Sequence, residues 1–128
     1  MTYVKITNGK MEIGNGAGIQ VAGSGEPDGD GLSPKELLEA AVALCVVKSV
    51  RTVLDRDGVA HDPDEIEATA AASKEEGVAN RFSRLDVRVK LPSNLDEAYR
   101  RKLLVVAERA CTIGNTIRSG ATVTLEQA

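Results

Sequence analysis

A chain of 128 residues, 42% hydrophobic and 27% charged, has the balance of one folded domain and excludes both a disordered tail and a membrane-embedded protein. Sixteen Lys and Arg stand against nineteen Asp and Glu, a net charge of −3, and the basic residues form no run interleaved with aromatics, which argues against nucleic acid as a partner. Aromatic content is 2%, so Val, Leu, Ile and Ala must build the core, and so light a core favours further burial by association with a second copy. The N-terminus has no charged-then-apolar leader and no apolar run reaches the length of a membrane span. The expected location is cytoplasmic, with no membrane partner.

The first thirty-one residues hold eight of the twelve glycines and alternate apolar with polar residues in short runs, Tyr3–Thr7, Lys10–Ile13 and Gly18–Val21. Asn8-Gly9 between the first two favours positive φ at both centres of a tight turn, so an antiparallel sheet is expected to open the domain. The polar stretch from Gly23 to Gly31 has no apolar period and reads as a loop.

Ser33-Pro34-Lys35-Glu36 has the pattern of a helix start, with Ser33 as N-cap, Pro34 in the first turn and Glu36 closing a capping box. The run from Leu37 to Leu54 is almost continuously apolar and predicts a central helix covered on most sides. After a loop around Asp55–Gly58, Ile66–Ala72 is expected as a strand, and Leu85–Leu91 alternates without a break until Pro92 ends it. Asp62, Asp64 and Glu65 fit turn and helix-entry positions. Leu95–Ala110 is amphipathic at helical spacing, Cys111–Ile117 predicts a further short helix, and Ala121–Leu125 alternates as a closing strand. The fold class expected is α/β (α+β), a single domain over residues 1–128.

Two cysteines, Cys45 within the apolar helix and Cys111 after the amphipathic one, are too few for a secreted disulfide scaffold. Either alone has a simple structural explanation as a small buried hydrophobe. Together they admit two-cysteine peroxide chemistry, in which one thiolate attacks an O–O bond and a second thiol condenses with the resulting sulfenic acid. His61 is the only histidine, and one His with two Cys has no zinc-binding spacing, so no metal is expected.

The segment Gly31-Leu32-Ser33-Pro34-Lys35-Glu36-Leu37-Leu38-Glu39-Ala40-Ala41-Val42-Ala43-Leu44-Cys45 resembles the Ser-Pro-x-Glu-Leu-Leu…Cys signature of the OsmC/Ohr superfamily of osmotically inducible and organic hydroperoxide resistance proteins. Asn80-Arg81-Phe82 is similar to that family's step into its long strand, and Glu108-Arg109-Ala110-Cys111-Thr112-Ile113 to its second cysteine box. The resemblance implies an interlocked homodimer with cysteine sites at the subunit interface. It also implies thiol-dependent reduction of organic hydroperoxides in oxidative stress defence, needing no cofactor. Cys45 would be the nucleophile and Cys111 its resolving partner, regenerated by a dithiol reductant such as a lipoylated protein.

The sequence departs from the family pattern at the charges around the nucleophile. The family's peroxidases pair an N-terminal Arg with a Glu ten residues before the cysteine, whereas this chain has no Arg before Arg51. Ten before Cys45 stands Lys35, and the carboxylate Glu36 is one residue later. At 100° per residue Glu36 projects about 180° round a straight helix from Cys45 and Lys35 about 80°. Lys35 or Arg81 is therefore a candidate replacement for the missing cation, and Glu36 is a catalytic candidate that also fits a plain capping role. The alternative function is a catalytically weak dimer of the same fold that binds a small apolar ligand at its interface.

Overall fold

The computed structural model describes residues 1–128, and the chain gathers into two compact units, Met1–Ala40 and Ala41–Ala128. It is a mixed α+β protein of five antiparallel strands and three helices.

In the first unit β1 (Thr2–Thr7), β2 (Lys10–Asn15) and β3 (Gln20–Ala22) form an antiparallel sheet in the order β1-β2-β3. Asn8 and Gly9 turn the first hairpin at φ 53° and 77°, as their identity predicts. Tyr3 lies opposite Gly14, and its ring covers the position a Cβ would need, so the sheet requires glycine there. Val4, Ile6, Ile19 and Val21 are exposed, which leaves apolar strand surface uncovered. The segment from Gly23 to Gly31 forms no helix or strand and is closed by a bridge between Gly23 and Leu32.

Helix α1 (Pro34–Arg56) starts where the sequence places it. The Ser33 hydroxyl accepts from the Glu36 amide at 3.2 Å, and Glu36 Oε1 accepts from the Ser33 amide at 3.0 Å, a reciprocal capping box. Those bonds hold the Glu36 carboxyl below its ordinary pKa, the Ser33 amide contributing most. The expectation that α1 is covered on most sides does not hold in this chain. Its buried residues, Val42, Ser49, Val50, Val53 and Leu54, form one stripe, and Leu44 is 71% exposed. An apolar run states what a helix can bury, while its neighbours decide how much of it is covered.

In the second unit β4 (Glu67–Ser73) pairs with β5 (Arg84–Lys90), Ala70 opposite Val87. The strict alternation of β5 turns Leu85, Val87 and Val89 inward and its charged residues outward. Helix α2 (Glu97–Ala110) is capped by Asp96, whose carboxylate accepts from the Tyr99 amide at 2.8 Å. Val50, Val53 and Leu54 of α1 pack with Leu91, Leu95, Leu103 and Ala107 to make the core. Tyr99 donates to Asp57 at 2.8 Å, and Arg100 donates to the carbonyls of Pro92 and Leu95, fixing the entry to α2. Asp62 caps the single 3₁₀ turn Pro63–Glu65, and Glu65 accepts from the Ser93 amide at 3.0 Å. Helix α3 (Thr112–Ser119) follows α2 after Cys111 alone.

The closing strand expected at Ala121–Leu125 is absent. The segment is irregular, with Val123 82% and Leu125 91% exposed. Alternation suits a strand, but a strand exists only when an edge accepts its hydrogen bonds, and none in this chain pairs with it.

Candidate active site

Cys45 lies on the buried stripe of α1, three residues after Val42 and four before Ser49, and is itself half-buried. Cys111 is 2% exposed and serves as both the C-cap of α2 and the N-cap of α3. Its extended backbone, φ −73° and ψ 98°, breaks the helical path, so the chain leaves α2 and begins α3 at the sulfur itself. Cys111 Sγ accepts from the Gly114 amide at 3.3 Å, and its carbonyl accepts from the Asn115 amide at 2.9 Å. The Asn115 side chain donates to the Arg109 carbonyl at 3.0 Å, closing the end of α2.

Both cysteines are free thiols, near enough for each to shift the other's titration. The Ile113 amide, the strongest influence, lowers the Cys45 thiol below its ordinary pKa; the Cys111 thiol, the Thr112 amide and the Lys48 charge act in the same direction against partial burial. Burial pushes Cys111 the other way, and the neighbouring Cys45 adds to that, against the Gly114 amide and the Arg118 charge. The two thiols are thus shifted in opposite directions, Cys45 towards the thiolate and Cys111 towards the protonated thiol. The Thr112 and Ile113 amides at the start of α3 act on the Cys45 thiol in the same direction as a neighbouring cation would.

The other residues singled out in the sequence have separate settings. Glu36 is engaged in the capping box, and the Lys35 ammonium pairs with Glu39 at 2.9 Å. Arg81 is exposed and lines a cavity of about 560 Å³ with Phe82 and Arg84. The His61 ring donates through Nδ1 to the Val59 carbonyl at 2.8 Å. No group of three His, Cys, Asp or Glu side chains is placed to hold a metal ion, and no helix is long and apolar enough to cross a membrane.

A second cavity, of about 360 Å³, is walled by Val42, Val46, Leu85, Val87, Val89, Leu104 and Ala107, with Cys111, Gly114, Glu108 and Arg118 completing it. Arg118 is held by Glu108 at 3.0 Å and by Asn115 at 3.1 Å, and it lines both cavities. Cys45 lines neither. Sequence reasoning missed Lys48, Arg118 and the α3 amides. The Lys48 signal was present as a cation three residues after Cys45 on a helix, whereas the amides carry no side-chain signature.

Fold and site together define a small α+β protein with an adjacent, asymmetrically polarised dithiol. Its kinship is plain in sequence: the model of the OsmC-like protein family matches residues 27–126, and the chain belongs to that family. An uncharacterized protein of Mycobacterium tuberculosis (strain H37Rv) is 33% identical over 131 residues, covering 97% of this chain and 93% of the relative. Among solved structures, an OsmC-like protein from Mycoplasma pneumoniae superposes with a TM-score of 0.73 at 12% identity, covering 92% of this chain and 86% of that one. The organic hydroperoxide resistance protein of Bacillus subtilis gives 0.65 at 20% identity, covering 92% and 90%. That of Legionella pneumophila, described as a predicted redox protein, gives 0.68 at 20%, covering 92% and 89%. These structural likenesses establish the shared fold.

Proposed function

We propose that this chain is a thiol peroxidase that reduces organic hydroperoxides in oxidative stress defence, with Cys45 attacking and Cys111 resolving. The observation that carries the reading is the nearness of the two thiols, with the α3 amides acting on Cys45. The Cys45 thiolate attacks the distal oxygen of ROOH, the O–O bond breaks, and the alkoxide leaves as ROH after taking a proton. Cys45 is then a sulfenic acid. The Cys111 sulfur attacks it, hydroxide departs as water with the thiol's proton, and a Cys45–Cys111 disulfide results. An external dithiol returns both thiols and is itself oxidised. The upward shift of the Cys111 thiol suits this order, because it favours the form that carries the proton needed by the leaving oxygen.

Lys48 supports the thiolate in this scheme, Glu36 acts as a helix cap, and neither Lys35 nor Arg81 is required. The working form is a cytoplasmic homodimer of one domain, residues 1–128, in which a second copy covers the exposed Val4, Ile6, Ile19, Val21 and Leu44.

Consumption of cumene hydroperoxide with an excess of dithiol tests the scheme. Turnover is expected for the parent, with loss in Cys45→Ser and in Cys111→Ser under catalytic conditions; hydroperoxide turnover that survives Cys45→Ser would overturn it. The 360 Å³ apolar cavity favours a second reading, a weakly catalytic dimer that holds a small apolar ligand. That reading expects the thiols to stay reduced while an apolar fluorophore binds.

A further inference from the structure

The two sulfurs of the proposed disulfide do not face the same space. Cys111 neighbours Cys45 and also lines the 360 Å³ cavity, while Cys45 lines no part of it. Gly114 also lines this cavity, and a Cβ built on it would meet Cys111 Sγ at 3.3 Å and Arg118 Nη1 at 3.5 Å. Sulfur and guanidinium therefore flank one small space, kept open because residue 114 has no side chain. We infer that the reductant enters through this cavity and attacks Cys111, so that Cys45 is the sulfur expelled when the disulfide is reduced. The inference rests on the disulfide cycle proposed above and assigns its second half.

Thiol–disulfide exchange is an in-line displacement: the incoming thiolate bonds one sulfur while the other departs on the far side. A thiolate in the cavity meets Cys111, the one sulfur of the pair that lines it, so Cys45 is the sulfur that departs. The walls formed by Val46, Leu85, Val87, Leu104 and Ala107 suit a thiol with an apolar body, beside the Arg118–Glu108 ion pair. The leaving side agrees with the entry side. Cys45 departs as a thiolate onto the amides of Ile113 and Thr112 beside Lys48, whereas expelling Cys111 would place a negative charge on a buried sulfur. The step balances as RS⁻ plus Cys111–S–S–Cys45 giving Cys111–S–S–R plus Cys45–S⁻. A second thiol of the reductant then attacks its own mixed-disulfide sulfur, releases Cys111 and closes the reductant's disulfide.

The disulfide form is prepared with one equivalent of cumene hydroperoxide and, in parallel, with diamide. Each sample is treated briefly with butanethiol, quenched with acid, alkylated with N-ethylmaleimide and mapped by peptide mass spectrometry. Butanethiol on Cys111 and maleimide on Cys45 are expected, in at least about tenfold excess over the reverse pattern. The reverse pattern, or an even split, overturns the inference. A disulfide that forms with diamide but not with the hydroperoxide sinks the peroxidase reading while the point of attack is still read; failure to form with either oxidant overturns both.

Discussion

Replacing Thr112 with proline isolates the contribution of the α3 amides to the Cys45 thiolate. Thr112 is the first residue of α3, its side chain is exposed, and its amide acts to lower the Cys45 thiol. Proline is well accepted at a first helical position, and the preceding residue, Cys111, already has the extended backbone that a following proline requires. The substitution thus deletes one donor and leaves the helix standing. A hydrogen bond to a charged group contributes about 1.5–3 kcal/mol, and a pKa shift of one unit corresponds to about 1.36 kcal/mol, so the full range is about one to two units. Thr112 contributes less than Ile113 and water reaches the half-buried Cys45, which places the expected rise near the lower end, about one unit. The thiolate is the form that alkylates, so reactivity is present above the folded pKa and lost as pH falls through it. In the parent the midpoint for iodoacetamide labelling of Cys45 lies below that of an ordinary free thiol, and in Thr112→Pro it moves upward. Thr112→Ala, which keeps the amide, leaves it in place. A midpoint unmoved in Thr112→Pro, with helix content by circular dichroism also unmoved, would refute the role given to the amides.

Three further outcomes are expected. Leu103 is 1% exposed in the core, and Leu103→Ala should lower unfolding free energy by about 2–5 kcal/mol in a urea titration; a loss below about 1 kcal/mol would contradict the packing. Ser33→Ala removes the buried half of the capping box and should cost about 1 kcal/mol, whereas Glu36→Gln, which can still accept from the Ser33 amide, should preserve both the fold and the peroxidase rate. A large rate loss in a folded Glu36→Gln would return Glu36 to a catalytic role. Gly114→Ala sets a methyl against Cys111 Sγ and should slow disulfide formation, measured by stopped-flow after mixing with cumene hydroperoxide; an unchanged rate would contradict the tight setting of that sulfur.

Local chemistry made much of the fold legible in the sequence. Asn8-Gly9 specified a hairpin, Ser33-Pro34-Lys35-Glu36 the start of α1, and the alternation of Leu85–Leu91 the inward face of β5, because each signal is complete within a few residues. Ala121–Leu125 misled because pairing is a property of two strands and only one was visible. The coverage of α1 was overstated for a related reason: Leu44 is as apolar as Leu54, yet one is 71% exposed and the other fully buried. Both cysteines are legible as candidates, with Lys35 and Arg81 as the side-chain cations the sequence offers. The groups that act on Cys45 are chiefly backbone amides of α3, brought to α1 by packing across more than sixty residues of chain.

The central claim is that Cys45 and Cys111 form one redox pair, and the intact mass of the reduced protein after one equivalent of cumene hydroperoxide tests it most directly. The account predicts prompt loss of two hydrogens in the parent, with Cys111→Ser stopping instead at a single added oxygen on Cys45. Thiols that remain reduced for hours, or an oxygen that arrives on Cys111 rather than Cys45, would contradict it.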